Sequence, residues 1–208
     1  SSMVLRMEAF IALEDHQGAV AQYENFLGNN PKEKWINRAS YILFSDFYER
    51  ALEASDASLR KSLLTEAVGY LETSNRTSRN VKWQNLQTEA RMRLELDQPE
   101  KAAKLLGILL SDFNGNSTFD ANSRFFARID LVDAHLLLEQ PGAVTEVMDA
   151  LLAERPKNLR VKKAAVKIKA GFLALRDGRE VEIPGEGTAE GFRQALALVG
   201  ELLQLAEM

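Results

Sequence analysis

The chain has 208 residues, of which 46% are hydrophobic and 27% charged, with a net charge of −4 and no cysteine. This is the balance of a folded protein with room for a sizeable core, not of a disordered one. It excludes disulfides, cysteine-based zinc sites and thiol catalysis, and gives no global reason to expect nucleic acid as a partner.

Ser1-Ser2-Met3 leads directly into an amphipathic pattern from Val4, which reads as an excised domain carrying residual tag residues. No basic-then-apolar signal segment opens it, and both the cytoplasm and the bacterial envelope (periplasm) stay open as locations. The longest apolar run, Leu105 to Leu110, is interrupted by Gly107 and falls far short of the roughly 20 residues that span a bilayer.

Periodicity then predicts helices in pairs. Val4–Asp15 pairs with Gly18–Leu27, joined at His16-Gln17-Gly18 and closed by Gly28-Asn29-Asn30-Pro31. Glu33–Ala54 pairs with Ser58–Glu72 across Ser55-Asp56, and Asn75 to Asn80 reads as an exposed connection. Val81–Leu96 turns at Asp97-Gln98-Pro99, with Pro99 suited to a first helical position. Phe119–Glu139 turns at Gln140-Pro141-Gly142 into Ala143–Glu154, which ends before Pro156. A fifth pair, Leu159–Leu175 and a helix from Thr188 to about Ala206, encloses a loop over residues 177–187. The expected fold is all-α: an array of about five antiparallel hairpins, with four in residues 1–156 and the last in 157–208, and no strand signal beyond Glu180–Ile183.

The second helix of each of the first four pairs shares one motif. A small alanine is followed four residues later by a larger apolar residue and then by a chain break. It occurs as Ala19/Tyr23/Phe26, Ala67/Leu71/Ser74, Ala102/Leu106/Leu109 and Ala143/Val147/Ala150, with the alanines 48, 35 and 41 residues apart. Such spacing falls in the range of stacked helical hairpins.

This pattern resembles the tetratricopeptide repeat (TPR) over about Val4 to Pro156. Ala19, Tyr23 and Pro31 match its second helix, and Phe10 matches the aromatic of its first. Ala90, twelve residues before Ala102, matches the small residue used for close helix contact. Phe26 and Leu109 depart from it where a small residue is usual, Arg93 and Ala134 replace the first-helix aromatic, and the spacings exceed the family's period of about 34 residues. The resemblance implies a right-handed superhelix whose first helices line a concave groove for a peptide or partner protein. In its register the groove-facing residues are Gln84, Gln87 and Arg91 of the third repeat and Arg128 and His135 of the fourth. Donors of this kind suit peptide backbone and carboxylates, and the alternative for each is an ordinary exposed helix residue.

Signals for catalysis are sparse. His16 and His135 lack a second ligand at metal-site spacing, so a structural or solvated role is expected for both, with no cofactor. Gly185, Gly187 and Gly191 have G-x-G-x-x-x-G spacing, one residue longer than the dinucleotide fingerprint, and Glu186 and Glu190 would repel phosphate. The stretch Lys157 to Lys169 is basic, with Lys162, Lys163 and Lys167 in its middle and no acid between Arg155 and Arg176. It is either a solvated face or a docking patch for an acidic protein segment or, as the weaker alternative, for a nucleic-acid backbone. The expectation is therefore a non-catalytic scaffold that binds a protein or peptide, an acidic one if the basic helix takes part. The alternative is a structural or self-association module of a larger protein.

Overall fold

A computed structural model describes residues 2–150, apart from positions 30, 139, 141, 142, 145, 148 and 149. The expected fifth pair, its loop at 177–187 and the basic stretch with Lys162, Lys163 and Lys167 lie outside the described residues. The chain divides into two compact units, Ser1–Gln98 and Pro99–Met208. The described residues are all-helical, with seven helices: α1 (Ser2–Ala12), α2 (His16–Gly28), α3 (Glu33–Glu53), α4 (Ala57–Thr77), α5 (Trp83–Glu95), α6 (Pro99–Asp112) and α7 (Ala121–Leu137). No described helix is long and apolar enough to cross a membrane.

The first turn shows how local chemistry sets the boundaries. α1 stops at Ala12 rather than Asp15 because Glu14 adopts φ 59°, while Glu14 N–H donates to Ile11 and Asp15 N–H to Phe10. This is the six-to-one and five-to-two bonding of a Schellman motif. Asp15 is then free to cap the next helix, its Oδ1 accepting Gly18 N–H at 2.8 Å, so α2 begins at His16 rather than Gly18. Glycine is needed at 18, since a Cβ there would sit 2.8 Å from both Asp15 Cγ and Phe10 Cδ1. The same turn recurs after α5, where Asp97 has φ 57° and Gln98 N–H reaches Arg93 O at 2.8 Å.

α4 runs five residues past its expected end at Glu72. Asn37 of α3 donates to Ser74 O at 2.6 Å, and Thr77 Oγ1 donates to Thr73 O at 2.8 Å, so carbonyls of the added turns have side-chain donors. The Asn37–Ser74 tie also sets α3 and α4 antiparallel. α7 starts at Ala121 rather than Phe119 because Asp120 caps Ser123 N–H at 2.8 Å, and those bonds hold the Asp120 carboxyl below the usual carboxylate range. Phe119, just outside the helix, is fully buried.

The core of the first unit has two parts that meet on α3. Val4, Met7, Ala19, Tyr23, Phe26, Ala39 and Leu43 form one cluster, from α1, α2 and the first half of α3. Phe44, Ala51, Leu63, Leu64, Ala67, Val68, Leu71, Met92 and Leu96 form the other, from α3 to the end of α5. The alanine motif lies at the centre of this packing. Ala19, Ala67 and Ala102 are completely buried, as are Leu71, Leu106 and Leu109, whereas Ala143 is half-buried. Without a side chain beyond Cβ, these positions let backbones approach, and the residue four on fills the space beside them. In the second unit, α6 packs on α7, with Ala102, Leu106 and Leu109 on its buried face.

Candidate interaction surface

The residues expected to line a groove have different surroundings. Gln84 and Arg91 are exposed on α5, but Gln87 is 8% exposed and does not share open solvent with them. A step of three from Gln84 to Gln87 carries the side chain toward the buried side of α5, which also presents Leu86, Ala90 and Met92. Arg128 and His135 are half-buried on α7. His135 takes part in a turn: its Nδ1–H donates to Gln140 Oε1 at 2.9 Å, and Gln140 N–H reaches His135 O at 3.0 Å.

That arrangement explains Arg93, which occupies the corresponding place before the α5 turn. Arg93 is buried to 4% exposure, and its guanidinium supplies the polar links. One terminal nitrogen donates to Gln98 Oε1 at 2.7 Å, and the other faces Glu72 at 2.5 Å and Glu89 at 3.4 Å. Asn75 also donates to Glu89, at 2.8 Å. Burial raises the Glu89 carboxyl above its ordinary value, while the bonds from Asn75 and Arg93 pull it back. Arg93 Nε and Asn75 Oδ1 have no hydrogen-bond partner among the described residues. Glu89 and Arg93 stand four apart on one helix, a spacing visible in the sequence, whereas Glu72 and Gln98 arrive from other segments.

His16 forms a second polar link. Its Nδ1 lies 2.9 Å from Asp46 Oδ1, Asp46 is 7% exposed, and Arg50 approaches the same carboxylate at 3.6 Å. The contact joins the start of α2 to the middle of α3. A histidine held by a carboxylate can serve as a base; Ser45, next to Asp46 in the sequence, donates to Tyr41 O of its own helix at 3.1 Å. Among the described residues, no group of three His, Cys, Asp or Glu side chains converges as a metal site would require.

One open side of the first unit belongs to α3. One side of this helix supplies Ala39, Leu43, Phe44 and Ala51 to the core, and the other shows Arg38, Tyr41 and Leu52, with Tyr41 41% and Leu52 53% exposed. Tyr41 is braced by Phe44, ring centroids 5.4 Å apart, and Arg38 pairs with Glu8 of α1 at 3.2 Å. The signal for this stripe was its helical spacing on the side away from the apolar residues. Comparison with protein families, with characterised proteins and with solved structures finds no match for this chain.

Proposed function

We propose that the chain is a non-catalytic interaction scaffold, a TPR-like array of about five hairpins that offers a partner protein or peptide the concave surface formed by its first helices. The observation carrying this reading is the open stripe of α3. Tyr41 and Leu52 lie on its solvent side, and Tyr41 is already held by Phe44, so ordering it against a partner would cost little rotamer freedom. Arg38, Gln84 and Arg91 add donors for peptide carbonyls and carboxylates. The test is partner capture by cross-linking with wild type and with Tyr41→Asp/Leu52→Asp. The double variant should keep its helicity and lose the cross-linked species, each anchor contributing about 2 kcal/mol, or roughly thirty-fold. Capture that is indifferent to both substitutions removes the reading.

The apolar outer side of α1 favours a second reading, self-association. Leu5 is 62% and Leu13, just beyond the helix, 77% exposed, with Ala9 and Ala12 between them. Sedimentation over a hundred-fold concentration range decides it. Self-association predicts a mass that rises with concentration in wild type and stays monomeric in Leu5→Asp/Leu13→Asp; a constant monomer discards it.

A further inference from the structure

Where α3 begins and α4 ends, the first unit carries a cavity of about 730 Å³ lined by Lys32, Glu33, Lys34, Asn37, Thr77, Ser78, Arg79 and Asn80. Three of these are cations and one is an acid, in a chain whose net charge is −4. Lys34 rests over Trp35, its Nζ 5.0 Å from the ring centroid, and no carboxylate pairs with Lys32, Arg76 or Arg79 among the described residues. Of the carbonyls near the end of α4, those of Ser74 and Thr73 accept from Asn37 and Thr77. At the N-cap of α3, just before Glu33, Lys32 forms no side-chain cap. A second depression of about 500 Å³ adjoins it through the shared Glu33 and Thr77, with Leu27, Ile36, Tyr23 and Tyr70 as its apolar lining and Arg76 at its side.

We infer that this pocket and the adjoining groove dock an acidic peptide segment of a partner protein. Carboxylates enter the basic pocket, and a neighbouring apolar side chain enters the groove beside Tyr70. Charge complementarity selects this occupant. The lining acids, Glu33 and in the groove Glu66, are fewer than the cations Lys32, Lys34, Arg76 and Arg79, and an acidic peptide supplies the missing counter-charge without drawing Lys32, Arg76 or Arg79 out of an ion pair. The apolar groove disfavours a nucleic acid backbone, which would leave Leu27 and Ile36 uncovered. Tyr70 suits a groove wall at any physiological pH, since burial pushes its hydroxyl up to about 12 and keeps it neutral. The inference rests on the scaffold reading above and adds to it a site and a partner chemistry.

The probe is a fluorescein-labelled peptide of alternating glutamate and leucine, followed by anisotropy at low and at physiological salt. Wild type should bind it, with affinity falling as salt rises. Lys32→Glu/Lys34→Glu/Arg79→Glu should weaken binding at least ten-fold and flatten the salt dependence. A control triple reversal of exposed Lys61, Lys101 and Lys104, equal in charge change, should leave binding within two-fold. Circular dichroism confirms that both triples keep their helicity. No binding by wild type, or equal weakening by both triples, overturns the pocket. So does a single-stranded oligonucleotide that binds more tightly than the peptide, or an oligomer that the site reversal dissolves. Loss of the peptide on Tyr41→Asp/Leu52→Asp but not on the pocket reversal also overturns it, and leaves the scaffold reading standing.

Discussion

Replacing Arg93 with leucine should cost the first unit about 3–5 kcal/mol at neutral pH, the usual result of leaving a buried charge without its partner. The loss comes mainly through Glu89, whose side chain is 5% exposed, and much less through Glu72, which is 58% exposed and screened by water. The pH dependence follows from the raised Glu89 carboxyl. A carboxyl raised on folding contributes most below its unfolded value of about 4.3, and that contribution is lost as pH climbs through the folded value. Arg93→Leu removes one influence that lowers it, so the defect should be largest at pH 7 and shrink toward pH 4.5, where neutral Glu89 needs no counter-ion. Adding Glu89→Gln should recover part of the stability at pH 7 while keeping an acceptor for Asn75. Urea melts of the three proteins at both pH values measure this, and a loss below 1 kcal/mol, or one equal at both pH values, would contradict the account.

Leu71→Ala should destabilise the same unit by about 2–5 kcal/mol. Leu71 is completely buried in the cluster built by α3, α4 and α5, four residues beyond the equally buried Ala67. Truncation leaves a void that the helices cannot close, because Ala67 already brings the backbones together. Leu59 of the same helix, 52% exposed, is the control: Leu59→Ala should fall within about 0.5 kcal/mol of wild type. Urea midpoints at constant slope report both. Similar costs at the two leucines would mean that the alanine motif does not mark the core.

That motif is where sequence reading was strongest. Ala19, Ala67 and Ala102, with Leu71, Leu106 and Leu109, are all buried, because burial of one helix face is recorded locally at steps of three and four. Helix ends were less legible. α1 and α2 exchange residues at Glu14 and Asp15 through a left-handed turn, and α4 is lengthened by Asn37, a residue 37 positions from the carbonyl it meets. Arg93 looked like a departure from an aromatic position, yet it is buried, and its two terminal nitrogens meet groups from three segments. For the interaction surface, register alone placed Gln84 and Arg91 in the open but also nominated Gln87, which lies inside, and His135, which is engaged by its own turn. Register describes which way a helix faces; it carries no information about which neighbours arrive to cover it.

The position of α3 between two apolar clusters has a consequence for how the protein is made. A chain growing from its N-terminus releases α1 and α2 first, yet Ala39 and Leu43, which complete their packing, follow only with α3. Phe44 and Ala51 of that helix then wait in turn for α4 and α5. Each stage of synthesis therefore exposes an apolar face whose cover has not yet left the ribosome. Nascent chains stopped after Gly28 or after Glu53 should be the ones that chaperones hold most firmly, and completion of α5 should release them.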